Sequence, residues 1–124
     1  MVKIIKPDPL SFSSLYLETL FSGNQLGIAT GFIWKHEDSN YVVTNWHVVS
    51  GINPYTGQPI NKYDILPDSL RVWLYLAEDM GKWAPYDIPL LDSQDRPLWK
   101  EHNSYRDTVD VALLSFNPPE NFKL

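Results

Sequence analysis

Prolines and glycines stand so close together along this chain that no apolar stretch can run on into a long helix. Ten prolines and six glycines punctuate its 124 residues. A proline removes a backbone donor, and a glycine inside an element weakens it. Punctuation of this density suits short strands joined by turns and loops. Hydrophobic residues make up 44 % and aromatics 14 % of the chain, which is enough apolar material for a real core. A single domain over residues 1–124 is therefore expected rather than disorder.

Residues 14–21 fit either a strand or a helix, because periodicity over so short a run does not separate them. Residues 25–35 are broken by glycine but rich in Ile, Thr, Phe and Trp, which predicts a strand with a bulge or a close backbone approach near Gly31. His36 to Asn40 is a polar turn, and residues 41–44 resume as a strand, so the two form a hairpin. Residues 50–67 form a loop, since Gly51, Pro54, Gly57 and Pro59 forbid regular structure there. A loop of that length inside a compact domain is usually functional or mobile. Further strands are predicted over residues 70–76, 82–91, 98–100 and 109–116. Pro85 and Pro89 mark an edge or bends in the second of these. Six or seven short strands of this kind predict an all-β fold, a small closed antiparallel barrel.

The net charge of −5 argues against a partner that attracts basic faces, so neither nucleic acid nor an anionic membrane is expected. No run approaches the ~18 apolar residues of a membrane span. The opening residues carry lysines without an apolar run behind them, unlike a secretory signal. Cysteine is absent, which removes disulfides, thiol nucleophiles and thiolate metal sites. A reducing compartment is thus permitted, and the cytoplasm is the expected location. His36, His47 and His102 lack the paired spacing of a zinc site, so no metal or cofactor is expected.

Three segments carry the chemistry. They are Ala29-Thr30-Gly31-Phe32-Ile33-Trp34, then Val42-Val43-Thr44-Asn45-Trp46-His47-Val48-Val49, then Asp107-Thr108-Val109-Asp110-Val111-Ala112-Leu113-Leu114. Their order and spacing resemble the first half of the trypsin-like (chymotrypsin-fold) serine peptidases, especially the cysteine-free bacterial branch. The resemblance runs from about residue 12 to 117. The Thr-x-x-His-Val block is fairly specific, and the Asp-Val-Ala-Leu block gains its force from following it. The resemblance implies a six-stranded antiparallel Greek-key barrel, the N-terminal half of a double barrel. It also implies His47 as general base and Asp110 as the carboxylate that orients it.

The chemistry explains the residue types. A serine hydroxyl is a poor nucleophile until a neutral imidazole accepts its proton. A carboxylate beside that imidazole selects its tautomer and steadies the imidazolium that forms. Alone, a histidine after a strand is more often a structural residue, and an aspartate before a strand can be a turn cap. Asp107 is a rival to Asp110, but only Asp110 stands directly before Val-Ala-Leu.

Departures from the family pattern are equally informative. Asn45 and Trp46 replace two alanines ahead of the histidine, with Trp46 adding bulk near the site, and Ala29 replaces a glycine. No serine is followed by two glycines, the context of the family's nucleophile and oxyanion hole; Ser50 precedes one glycine but lies in the wrong segment. The chain alone is therefore expected to lack peptidase activity. Its expected partners are a protein or peptide substrate and either a serine-bearing second barrel, a partner chain or a second copy. The alternative is a non-catalytic binding or regulatory module that reuses the barrel. The stretch from Asn53 to Pro59 follows the histidine closely enough to overhang a cleft, although a plain surface loop is the simpler expectation. The five tryptophans fit core and rim packing, and the acidic run from Asp92 to Asp95 fits a turn.

Overall fold

The computed structural model describes residues 14–76, 81–101 and 110–123. The elements are β1 (Ser14–Phe21), β2 (Asn24–His36), β3 (Ser39–Thr44), α1 (Trp46–Ser50), β4 (Ser69–Leu76), β5 (Trp83–Pro89), β6 (Lys100–Glu101), β7 (Ala112–Ser115) and β8 (Phe122–Lys123). The fold is all-β. Every strand pairing is antiparallel, and the order across the sheet is β5-β4-β1-β2-β3-β7-β6, with β8 paired to β4. Two of these eight strands, β6 and β8, are only two residues long, and β8 was not foreseen from sequence. No helix among the described residues is long and apolar enough to cross a membrane.

The ambiguity over residues 14–21 resolves to a strand, and its cause is visible. Leu15 and Leu17 are buried at the period of two that a strand demands, but Leu20 is buried as well, three residues further on. The pairing of β1 with β2 shifts register between Thr19 and Leu20, leaving Leu26 of β2 without an opposite number. Leu20 pairs with Ser69 of β4 in unbroken alternation and lies outside the core cluster, so it is buried on the opposite face of β1 from Leu17. The predicted irregularity in β2 is therefore two separate features. The bulge sits at Leu26, while Gly31 is the close approach: a Cβ there would lie 2.6 Å from the carbonyl oxygen of Val43 and 2.9 Å from Leu17 Cδ1.

The β2–β3 hairpin closes through Glu37 and Asp38, with His36 opposite Ser39. Glu37 takes a left-handed conformation, φ 55°, which a two-residue hairpin turn requires. β5 ends the strand order, where Pro85 and Pro89 are tolerated because an edge strand can spare backbone donors.

The interior is one apolar cluster. It includes Leu17, Ile33, Val42, Val49, Val72, Ile88, Leu90, Leu114 and Phe116. Ile88 from edge strand β5 and Leu114 from β7, near the opposite end of the strand order, belong to the same cluster, so the sheet curls around its core. On the outer face of β1, β2 and β3, Tyr16, Phe32 and Trp34 stand exposed. Phe32 lies opposite Val43, and Val43 opposite Leu113, so the outward stripe is apolar across three neighbouring strands.

Residues 51–68 form the predicted long loop, organised by its own asparagines. Asn53 Oδ1 accepts the N–H groups of Tyr55 at 2.8 Å and Thr56 at 3.3 Å. Asn61 Oδ1 accepts those of Tyr63 at 2.9 Å and Ile65 at 3.3 Å. Asparagine favours such turns because its side chain reaches the backbone two residues on. An isolated bridge joins Ile52 to Pro59, and Ile60 N–H donates to the Gly51 carbonyl at 2.9 Å.

Candidate functional site

The site begins at the end of β3. Thr44 is buried, and its hydroxyl donates to the Thr30 carbonyl at 2.9 Å, which pins the strand end to β2. On its other side Thr44 pairs with Ala112 of β7. In an antiparallel pair, chain leaving one strand meets chain entering the other. The residues just after Thr44 are therefore brought against those just before Ala112, and His47 meets Asp110 across 63 residues of sequence.

A five-residue helix, α1, delivers the histidine. Asn45 is its N-cap in an extended conformation, φ −79°, ψ 145°, and the Asn45 side chain makes no capping bond to the helix. Val48 N–H donates to the Asn45 carbonyl at 3.1 Å, and Gly51 N–H to the His47 carbonyl at 3.0 Å. Gly51 ends the helix at φ 71°, and a Cβ there would lie 2.5 Å from Pro67 Cδ. Glycine is required on both counts: the left-handed C-cap and the close packing of the returning loop. Trp46, Val48, Val49 and Ser50 are buried; Val48 and Val49 join the core cluster, which anchors α1 and leaves His47 as its partly exposed residue. Trp46, the residue before His47, is buried but stands outside the core cluster.

Asp110 holds His47 at two points. Its Oδ1 accepts the His47 backbone N–H at 2.8 Å, and its Oδ2 contacts His47 Nδ1. A carboxylate can only accept, so the neutral ring carries its proton on Nδ1 and keeps the lone pair on Nε2. Both side chains are about one-third exposed, 38 % for His47 and 33 % for Asp110, so the ring is reachable. A third contact runs from Asn45, whose Nδ2 donates to the Asp110 carbonyl at 3.0 Å.

His47 lines a cleft of about 180 Å³ together with Thr19, Leu26, Ile28, Ile60 and Asn61. The bulge at Leu26 and the second half of the 51–68 loop thus form its walls. The stretch from Asn53 to Pro59 does not line it, and Tyr55 at the tip of that stretch is 90 % exposed. The part of the loop beside the histidine is the later one.

The remaining sequence candidates fall elsewhere. Ser50 is buried, and its hydroxyl oxygen accepts the Ile52 N–H at 3.2 Å. His36 sits at the hairpin, exposed and stacked on Trp34 with ring centroids 4.9 Å apart. His102 and Asp107 lie outside the described residues. Among the described residues no group of three or more His, Asp or Glu side chains could hold a metal ion. Of the tryptophans, Trp46 is buried, Trp73 Nε1 donates to Glu18, and Trp99 Nε1 donates to Glu101 at 2.9 Å. Trp83 is exposed against Tyr75, ring centroids 3.7 Å apart. The acidic run is a tight turn, in which Asp92 Oδ1 accepts the N–H groups of Gln94 at 2.8 Å and Arg96 at 2.9 Å.

Sequence reasoning missed Asn45 and the cleft walls. For Asn45 a signal existed: a carboxamide stands immediately before α1 where an alanine was the expected residue. For Ile28 and Ile60 there was none, because an exposed isoleucine in a strand or loop has no distinguishing pattern. Comparisons with protein-family models, curated proteins and solved structures find no match to this chain.

Proposed function

We propose that this chain supplies the general base and the orienting carboxylate of a serine endopeptidase of the trypsin-like kind. The observation that carries the reading is the double hold of Asp110 on His47, with Nδ1 engaged and the ring about one-third exposed at a cleft. In the reaction, a serine hydroxyl attacks the peptide carbonyl while His47 Nε2 takes its proton. The imidazolium, steadied by Asp110, then protonates the departing amine, and water hydrolyses the acyl-enzyme by the same route. No serine in these 124 residues has the glycine context of such a nucleophile, so the serine and its oxyanion hole come from elsewhere, and the chain alone is inactive.

The barrel reading draws support from the sheet. The order β5-β4-β1-β2-β3-β7-β6 would close into a Greek-key ring if β6 at one end met β5 at the other. Leu98 N–H donates to the Leu90 carbonyl at 2.9 Å, and Leu91 bridges Pro97. These contacts link the chain leaving β5 to the chain entering β6, which neighbours β7. The outward apolar stripe of Tyr16, Phe32 and Trp34 is the surface that a serine-bearing barrel or a second copy would cover. The same stripe favours a second reading, a binding module with no catalytic role.

A serine-directed fluorophosphonate probe separates the two. The chain is either fused to a serine-bearing second barrel or mixed with one as a separate chain. Labelling is expected in one arrangement, falling by roughly 10⁴-fold or more in His47→Ala. Labelling in neither arrangement, or labelling indifferent to His47→Ala, overturns the peptidase reading.

A further inference from the structure

We propose that Asn45 is a positioning residue for Asp110, and that its carboxamide fixes where the carboxylate stands independently of the imidazole. This rests on reading His47 and Asp110 as a proton-transfer pair.

Asp110 lies ahead of β7, whose ladder begins at Ala112, so sheet hydrogen bonding does not place it. Its described contacts all come from one segment, residues 45–47. Asn45 Nδ2 grips the main-chain carbonyl at 3.0 Å, His47 N–H grips Oδ1 at 2.8 Å, and His47 Nδ1 meets Oδ2. A residue held only by its carboxylate can pivot about its backbone; one held at carbonyl and carboxylate cannot.

The choice of side chain is informative. Asparagine at an N-cap ordinarily accepts a helix N–H with its side-chain oxygen, yet α1 receives no such bond. The carboxamide serves Asp110 instead. An alanine in its place would provide no donor for that carbonyl.

The arrangement also has a consequence for the reaction cycle. The Nδ1–Oδ2 contact changes in strength each time the imidazole gains or loses a proton. The Asn45 carboxamide and the His47 main-chain N–H do not titrate. Asp110 therefore keeps its place in both protonation states, ready for the next transfer.

The test reads the low-field proton resonance of His47 Nδ1–H by NMR on the chain as it stands, without any serine-bearing partner. Two variants are compared: Asn45→Ala, which removes the carboxamide, and Asn45→Asp, which keeps its shape without the donor. Exchange of the Nδ1 proton with water is expected to quicken roughly 2- to 10-fold in both, the range that one net hydrogen bond supplies. A variant with a lowered urea midpoint but an unmoved Nδ1 resonance would show a purely structural role and overturn the proposal. Should the variants fail to give dispersed amide spectra, the unmodified protein answers: its Asn45 Nδ2 protons must exchange at least about twofold more slowly than a free asparagine carboxamide, and equal rates overturn the proposal. If the unmodified protein shows no low-field resonance, the His47–Asp110 pair falls and this inference with it. Failure of the fluorophosphonate labelling, by contrast, removes the peptidase reading and leaves the geometry of Asn45 standing.

Discussion

Replacing Gly31 with alanine adds one methyl group at the point where β2 approaches β3 and β1 most closely. The new Cβ would lie 2.6 Å from the Val43 carbonyl oxygen, 2.9 Å from Leu17 Cδ1 and 3.4 Å from Thr44 Cβ. A carbon and a carbonyl oxygen settle no closer than about 3.3 Å, so β3 must retreat by roughly 0.7 Å. Leu17 cannot yield freely because it is fully buried. The backbone oxygen of Val43 cannot yield without dragging its strand. Overpacking of this kind costs about 1–3 kcal/mol, and the backbone contact places Gly31→Ala at about 2–3 kcal/mol. The melting temperature of a domain this size should fall by roughly 6–12 °C. The strand that moves ends at Thr44, whose hydroxyl bond to Thr30 sets the position of α1, so the His47–Asp110 contact should loosen as well. Urea titration followed by tryptophan fluorescence measures the stability, with Gly27→Ala as the control on the same strand. A Cβ at Gly27 would meet only Thr19 Oγ1, at 3.4 Å, so that variant should be close to neutral. Equal midpoints for the two variants would refute the reasoning.

Asp110→Ala removes both acceptors from His47, leaving its main-chain N–H without a protein partner; a loss of about 1–2 kcal/mol is expected by urea titration, and an unchanged midpoint would mean the contacts contribute nothing net. Asp110→Asn keeps an acceptor but offers Nδ1 a different partner, so in a catalytically complete assembly kcat should fall by about 10⁴-fold. The Asp92 carboxyl is held below the usual carboxylate range by the N–H groups of Arg96 and then Gln94. A depressed folded value means its stabilising effect is present above the unfolded value near ~3.9 and is lost as the pH falls through the folded value. Carbon NMR of the Asp92 carboxyl should therefore show a midpoint below that of a free aspartate, and a midpoint at or above it would contradict the turn geometry. Phe32→Ser on the exposed stripe should weaken self-association by about tenfold or more, from the lost apolar area, as measured by sedimentation velocity. A chain that is monomeric at every concentration before the substitution would count against a second copy as the covering partner.

Much of the sheet was legible beforehand because its signals are local. The β2–β3 hairpin follows from a polar turn between two apolar segments, and β4 from its β-branched and aromatic run. Where a local signal was mixed, legibility failed. The three-residue step from Leu17 to Leu20 imitates a helical spacing, and only the pairing with β4 shows the two leucines to lie on opposite faces of a regular strand. α1 escaped notice because five residues complete less than two turns and cannot display a helical period. β8 escaped because two residues have no pattern at all, whereas β6 overlaps the end of the strand predicted over residues 98–100.

Sequence alone named the residues of the candidate site: a histidine after a Thr-ended strand and an aspartate before an apolar one. Those are properties of residue type and order, which local chain chemistry carries. Tertiary structure decided everything that depends on distance. The register of Thr44 against Ala112 brought His47 to Asp110, the loop returning past Gly51 supplied Ile60 and Asn61 to the cleft, and the turn of Asn45 toward Asp110 diverted a capping side chain to a new partner. The physical reason is that strand pairing and loop closure are cooperative and non-local. Their outcome depends on which segments share one core, and no window of sequence contains more than one side of such a contact.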